Sequence, residues 1–174
     1  MKLFIQIPCL NEEYTLRDTL NDLPKKIAGI DEIQILVIDD GSTDRTLKVA
    51  KNWGVNHFVI HKENKGLASA FRSGIAYCLD NGADIIVNTD GDNQYKASYI
   101  KDITAPIIDQ SFDIVIGSRP ISEINHFSFK KKILQKLGSY VVRKVSNTSI
   151  EDATSGFRAL SRAAAKRIRI LDDY

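Results

Sequence analysis

What most constrains the fold of this chain is a repeated alternation. Short apolar runs are each followed by a segment whose apolar residues recur three or four positions apart. The runs cover residues 2–7, 33–38, 56–60, 84–89 and 112–117. They are nearly continuous in hydrophobicity, as strands covered on both faces must be. Between them Leu16, Leu20, Leu23 and Ile27 keep helical spacing, and residues 45–53 make a second helical segment. Residues 66–79 carry Leu67, Ala70, Phe71, Gly74, Ile75 and Cys78, the clearest amphipathic pattern in the chain. A further helix near 99–109 contains Pro106, which shortens or kinks it. Strands alternating with helices at this pitch predict an α/β fold, a Rossmann-like, mostly parallel sheet with helices on both faces. Asn11 is the expected N-cap of the first helix, with Glu12 and Glu13 in its first turn. A last helix is expected after Arg158.

A length of 174 residues with 43% hydrophobic composition suits one well-buried core, so residues 1–174 are expected to form a single domain. Cys9 and Cys78 are too few for a disulfide framework and lack metal-ligand spacing, which suits a reducing compartment. No apolar run reaches the roughly 18 residues of a membrane span, and the first apolar run is too short for a signal segment. The final helix has neither cap nor closing strand, so the parent protein is expected to continue beyond Tyr174.

In an open parallel sheet, ligands sit beyond the carboxyl ends of the strands. Three clusters fall there: Pro8 to Glu13, Asp39-Asp40, and Asp90-Gly91-Asp92. Two carboxylates spaced by one glycine can point to one side and suit Mg²⁺ or Mn²⁺, whose open positions accept phosphate oxygens. The same residues are also ordinary turn formers. Residues 39–44 can likewise serve as a helix start, with Asp44 or Ser42 as cap. A Gly-x-Gly-x-x-Gly after the first strand and a Gly-x-x-x-x-Gly-Lys-Ser/Thr are both missing, which disfavours dinucleotide cofactors and P-loop chemistry. A Ser-His-Asp reading lacks a nucleophile elbow. A receiver-type signalling module, with Asp39-Asp40 as acidic pair and Asp90 as phosphoacceptor, is a distant alternative. Strand five ends in Ser118-Arg119-Pro120 without the lysine such a module needs.

Six ordered segments then match a known family. They are Ile-Pro-Cys-Leu-Asn-Glu-Glu (7–13), Val-Ile-Asp-Asp-Gly-Ser-Thr-Asp (37–44), Asn64-Lys65-Gly66, Asp-Gly-Asp-Asn-Gln (90–94), Gly-Ser-Arg (117–119) and Asp-Ala-Thr-Ser-Gly-Phe-Arg (152–158). In this order the chain resembles the family 2 glycosyltransferases, and among them the dolichol- or polyprenyl-phosphate sugar synthases. The resemblance implies a GT-A fold and a nucleotide-diphosphate-sugar donor. It implies that Pro8, Leu10 and Glu12 edge the nucleoside and that Asp39 and Asp40 contact base or ribose. Asp90, Asp92 and Gln94 would hold Mg²⁺ or Mn²⁺ on the diphosphate, and Arg119 would meet phosphate. Leu10 stands where an aromatic residue is usual, and Asp-Gly-Asp-Asn-Gln replaces the commoner Asp-Ala-Asp-Leu-Gln.

Breaking an anomeric C–O bond leaves a diphosphate whose growing charge a cation at Asp92 and the arginine at 119 can stabilise. A phosphate acceptor is already a nucleophile near neutral pH and needs no general base; a hydroxyl acceptor, such as a polysaccharide, would need one, and Asp152 is the candidate.

Charge is segregated to match. Residues 1–94 hold 10 Lys and Arg against 14 acids, a net −4, whereas residues 95–174 hold 14 against 8, a net +6. The first is the expected donor half and the second the acceptor half. From 124 to 150 there are six basic residues and no acid. On a helix, Lys132, Lys136 and Arg143 fall within about 40° of one another. This face is either simply solvated or meets anionic lipid headgroups or a polyprenyl phosphate at the cytoplasmic face of a membrane. His126 and Arg158 are further candidates for the acceptor phosphate. Nucleic acid is a poor partner, because no stacking aromatics accompany the basic stretch.

Overall fold

The computed structural model describes residues 1–118, 144 and 155–169. The elements, in chain order, are β1 (Lys2–Cys9), α1 (Leu16–Asp22), β2 (Glu32–Asp39), α2 (Thr46–Trp53), β3 (His57–Ile60), α3 (Leu67–Asp80) and β4 (Ile85–Asn88). A 3-10 turn (Ala97–Tyr99), α4 (Ile100–Ile108), β5 (Ile114–Ile116), β6 (Arg158–Ser161) and α5 (Arg162–Arg167) follow. Among the described residues the sheet has the order β3-β2-β1-β4-β6-β5. β1 to β4 run parallel, and β6 is antiparallel to both its neighbours. The expected mostly parallel sheet covered on both faces is what forms.

β1 is central, and every residue from Leu3 to Cys9 is buried. Its alternation sorts the core into two layers. Leu3, Ile5, Ile7 and Cys9 pack with Leu16, Leu20, Ala50, Ile100, Ile103 and Phe157 on one face. Phe4 packs with Leu36, Ile38, Ala70, Ile75, Cys78, Ile86 and Leu160 on the other. Burying each such large side chain contributes about 1.5–3 kcal/mol. Gln6 is the polar exception on that second face and is fully buried. Its Oε1 occupies the space a Cβ on Gly74 would take, 2.5 Å from that position, which is why α3 carries a glycine mid-helix.

α1 is shorter than the periodicity predicts. Leu23 turns extended (φ −61°, ψ 140°), because Pro24 disfavours helical geometry in the residue before it. Ile27 therefore lies beyond the helix, though it still packs on the core. Asn11 is not the N-cap. It sits in the left-handed region (φ 58°), and α1 begins only at Leu16, so Glu12 and Glu13 precede the helix.

The larger difference is at 158–161, where the sequence reading has the final helix following directly on Arg158 and the structure has a strand. Arg-Ala-Leu-Ser carries no β-branched residue, but its backbone pairs on both sides, with Ile85 to Asn88 and with Ile114 to Ile116. Pairing overrides propensity there. The helix follows immediately, with the Ser161 hydroxyl accepting from the Ala164 N–H at 3.1 Å as N-cap.

No helix among the described residues is long and apolar enough to cross a membrane.

Candidate functional site

Parallel pairing points the ends of these strands to one edge: Cys9 lies opposite Asp39, while β4 stops three residues short of the end of β1, with Asn88 opposite Gln6. The loops after β1, β2 and β4 therefore meet at one edge of the sheet.

The first two loops are laced together. Asn11 accepts from the Thr43 N–H at 2.9 Å through Oδ1, and its own N–H donates to the Ser42 hydroxyl at 3.0 Å. The Glu12 N–H donates to Thr46 Oγ1 at 2.7 Å. Glu13 Oε2 accepts from both the N–H and the Nε of Arg45 at 3.0 Å. Asp44 joins both loops, accepting from the Thr46 N–H (2.8 Å) and hydroxyl (2.5 Å) and from the Glu13 N–H (3.1 Å). Burial works against the ionised form of Asp44, yet these donated hydrogen bonds outweigh it and hold the carboxyl below its ordinary range. A depressed folded-state pKa stabilises the protein above the unfolded value of about 4, and that contribution is lost as pH falls through the folded value. Urea unfolding across this acid range is expected to show a shallower pH dependence in Asp44→Asn than in the parent protein.

Asp39 and Asp40 are both buried. Asp39 Oδ1 accepts from the Ser42 N–H at 3.0 Å. Asp40 is more heavily engaged: Oδ1 takes His61 Nδ1 (2.6 Å) and the Lys65 N–H (3.0 Å), and Oδ2 takes the Gly66 N–H (2.9 Å). With Nδ1 donating to the carboxylate, His61 Nε2 is left to accept from the Ser73 hydroxyl at 3.1 Å. Asp40 thus anchors the turn into α3, and Asp39 has the greater accepting capacity to spare. His61 and Ser73 are contributors that the sequence reading missed, since nothing in their spacing marks them.

Asp90 and Asp92 follow β4. Gly91 between them is buried against β1, where a Cβ would lie 3.1 Å from Cys9 Sγ and 3.3 Å from Glu12 Cγ. The Thr19 hydroxyl donates to the Gly91 carbonyl at 2.9 Å, and Asp92 Oδ1 accepts from the Gln94 N–H at 3.1 Å. Glycine at 91 is what lets the acidic loop close on the other two. The Cys9 thiol registers the resulting field. Its pKa is pushed far up, first by burial and then by the carboxylates of Glu12, Asp39, Asp44 and Asp90. The carboxylate share of that shift is a negative field, which favours a cation, whereas the burial share does not. Asp90, Asp92 and the amide oxygen of Gln94 are the hard oxygen donors that Mg²⁺ or Mn²⁺ prefers. Among the described residues no three His, Cys, Asp or Glu side chains form a group that could hold an ion. A cation here would draw further oxygens from its ligand.

The segment 155–157 closes the edge. Asn88 Nδ2 donates to the Gly156 carbonyl at 2.8 Å, and Gln6 Nε2 donates to Asn88 Oδ1 at 2.9 Å. Tyr95 stacks on Phe157 with centroids 5.0 Å apart, and its hydroxyl lies 3.3 Å from Ser155 Oγ. Arg158 donates to the Ser155 carbonyl and lies over the Phe71 ring, 5.7 Å from its centroid.

Pro8 is buried, Leu10 is 39% exposed at the rim, and Glu12 accepts from the Thr15 hydroxyl at 2.5 Å. Arg119, His126, Lys132, Lys136, Arg143 and Asp152 lie outside the described residues. A cleft of about 390 Å³ between α1 and α2, lined by Arg17, Asn21, Val49, Asn52 and Trp53, includes none of the site carboxylates. Trp53 donates to Asn21 Oδ1 at 2.8 Å, joining the two helices as a packing residue.

Comparison with known proteins places this geometry in a family. The chain is 30% identical over 182 residues to the UDP-N-acetylglucosamine–dolichyl-phosphate N-acetylglucosaminyltransferase of Methanococcus voltae, covering 94% of this chain and 71% of that protein. It is 29% identical over 167 residues to the undecaprenyl-phosphate mannosyltransferase of Micrococcus luteus, covering 91% and 66%. Among solved structures, glucosyl-3-phosphoglycerate synthase of Mycobacterium tuberculosis, crystallised with Mn²⁺, UDP and glucosyl-3-phosphoglycerate, superposes with a TM-score of 0.69 at 19% identity. That match covers 93% of this chain and 57% of the other. The chain therefore spans little more than half of that neighbour, and the shared GT-A fold is what the likeness establishes. The profile of the family described as Glycosyl transferase family 2 matches residues 4–169, nearly the whole chain, so the protein belongs to the family 2 glycosyltransferases.

Proposed function

We propose that this chain acts as an inverting hexosyltransferase that moves a sugar from a nucleotide-diphosphate sugar to a polyprenyl or dolichyl phosphate. The observation that carries the reading is that the loops bearing Asp39 and Asp90-Gly91-Asp92 follow β2 and β4, the two strands that flank β1, with Gly91 packed against Cys9 and Glu12 at the carboxyl edge of a GT-A sheet. Two relatives named for transfer to dolichyl or undecaprenyl phosphate support the acceptor class.

On this reading the β1 loop, with Pro8, Leu10 and Glu12, edges the nucleoside, and Asp39 receives a donor from base or ribose. Asp40 acts at one remove by holding the turn into α3. Asp90, Asp92 and Gln94 hold a divalent cation, Mg²⁺ or Mn²⁺, which when bound supplies positive charge against the departing diphosphate. Arg119 meets the same phosphates. The phosphate acceptor attacks as an oxyanion, so the chain supplies no base; Asp152 takes that role only for a hydroxyl acceptor. The basic stretch, with Lys132, Lys136 and Arg143, together with His126 and Arg158, faces the acceptor phosphate at the cytoplasmic surface of a membrane.

Incubation with a radiolabelled nucleotide sugar and a polyprenyl phosphate is expected to give product that partitions into organic solvent and is released by mild acid. Label appearing only in water-soluble glycan would contradict the acceptor assignment.

A further inference from the structure

We propose that Gly156 is a positioning residue for the Asp90 carboxylate, and that the buried chain Gln6–Asn88–Gly156 fixes it there. The inference rests on the reading of Asp90 as a cation ligand.

Three observations meet at this point. A Cβ built on Gly156 would lie 3.0 Å from Asp90 Oδ1 and 3.2 Å from Oδ2, so the carboxylate lies close against the glycine backbone. The Gly156 carbonyl is held by Asn88 Nδ2, and Asn88 is oriented in turn by Gln6, itself fully buried. The backbone carbonyl can only accept, so it sets the orientation of both amides: Asn88 must present its NH₂ to Gly156 and its oxygen to Gln6. Finally, Tyr95 stacks on Phe157 and reaches Ser155, so the residues on either side of Gly156 are tied to the loop that follows Asp92.

This arrangement gives the Ser155-Gly156-Phe157 segment a reason to lack a side chain at its centre. Cation ligands must be held to within a few tenths of an ångström, and a carboxylate packed against a fixed backbone is restrained on that side. Gly156 does not adopt a left-handed φ, so alanine is compatible with its backbone. What must give way on substitution is the Asp90 carboxylate, the movable end of a side chain. Gly156→Ala is therefore expected to fold and to displace one ligand.

The test is titration of the protein with Mn²⁺ alone, followed by electron paramagnetic resonance. Gly156→Ala is expected to weaken Mn²⁺ binding about tenfold while the melting temperature stays within a few degrees of the parent. Asp90→Asn is expected to weaken it at least as much. The double variant is expected to be no weaker than Asp90→Asn, because Gly156 acts through Asp90 and the two losses are not additive. Asn88→Ala, which frees the Gly156 carbonyl without adding bulk, is expected to show the same non-additivity and serves if Gly156→Ala does not fold. Normal Mn²⁺ affinity in Gly156→Ala or, if that variant does not fold, in folded Asn88→Ala, beside a weakened Asp90→Asn, would overturn the positioning role. So would additive losses in the double variant. Unchanged affinity in Asp90→Asn would instead overturn the cation-site reading beneath it.

Discussion

Replacing Asp92 with asparagine is expected to lower sugar transfer by about a thousandfold, or ~4 kcal/mol of transition-state stabilisation. The reason is charge rather than shape. Asp92 is half-buried, and the hydrogen bond it accepts among the described residues, from the Gln94 N–H, can be kept by an asparagine oxygen. The fold and the loop should survive, while the site loses one of the two carboxylates that follow β4. Steady-state transfer at saturating Mn²⁺, with the melting temperature as a folding control, separates the two effects. A stable variant with near-normal turnover would show that Asp92 takes no part in stabilising the leaving diphosphate.

The largest expected loss of stability comes from Gly41→Ala. Gly41 has φ +80°, in the region where an L side chain costs roughly 1–2 kcal/mol. A Cβ there would also stand 2.5 Å from the carbonyl carbon of Glu63 and 2.7 Å from the backbone nitrogen of Asn64. These are backbone atoms, so relief requires the β2 loop and the 61–66 turn to part. Such overpacking costs about 1–3 kcal/mol more, and it strains the hydrogen bonds from Lys65 and Gly66 to Asp40. Urea unfolding should report a loss of about 2–5 kcal/mol, and donor affinity should fall with it. An unchanged urea midpoint would mean that the two loops are not packed as described.

The elements legible in the sequence were those whose own pattern decides them. β1 reads as a buried strand because its run at 2–7 is nearly continuous in apolar residues, and α3 because its apolar face recurs at helical spacing. Asp39-Asp40 and Asp90-Gly91-Asp92 could be placed at strand ends because they follow such runs directly. β6 was illegible for the opposite reason, since Arg158 to Ser161 becomes a strand only through pairing with β4 and β5, which lie far away in sequence. The same holds inside the site. Gln6 is polar within the apolar run at 2–7, but its partner Asn88 is 82 residues away. His61 directly follows β3, and only the fold brings it between Asp40 and Ser73. Spacing along the chain can reveal ligands carried by one loop. It cannot reveal the residues that hold those ligands from other elements.

The central claim is that the carboxyl edge of this sheet binds a nucleotide diphosphate with a divalent cation at Asp90 and Asp92. Calorimetric titration with UDP and GDP, with and without Mn²⁺, tests it most directly. At least one nucleotide is expected to bind the parent protein, at least tenfold more tightly with Mn²⁺ than without it, and the Mn²⁺ enhancement should vanish in Asp90→Ala/Asp92→Ala. Failure of both nucleotides to bind, or enhancement that persists in the double variant, would contradict it.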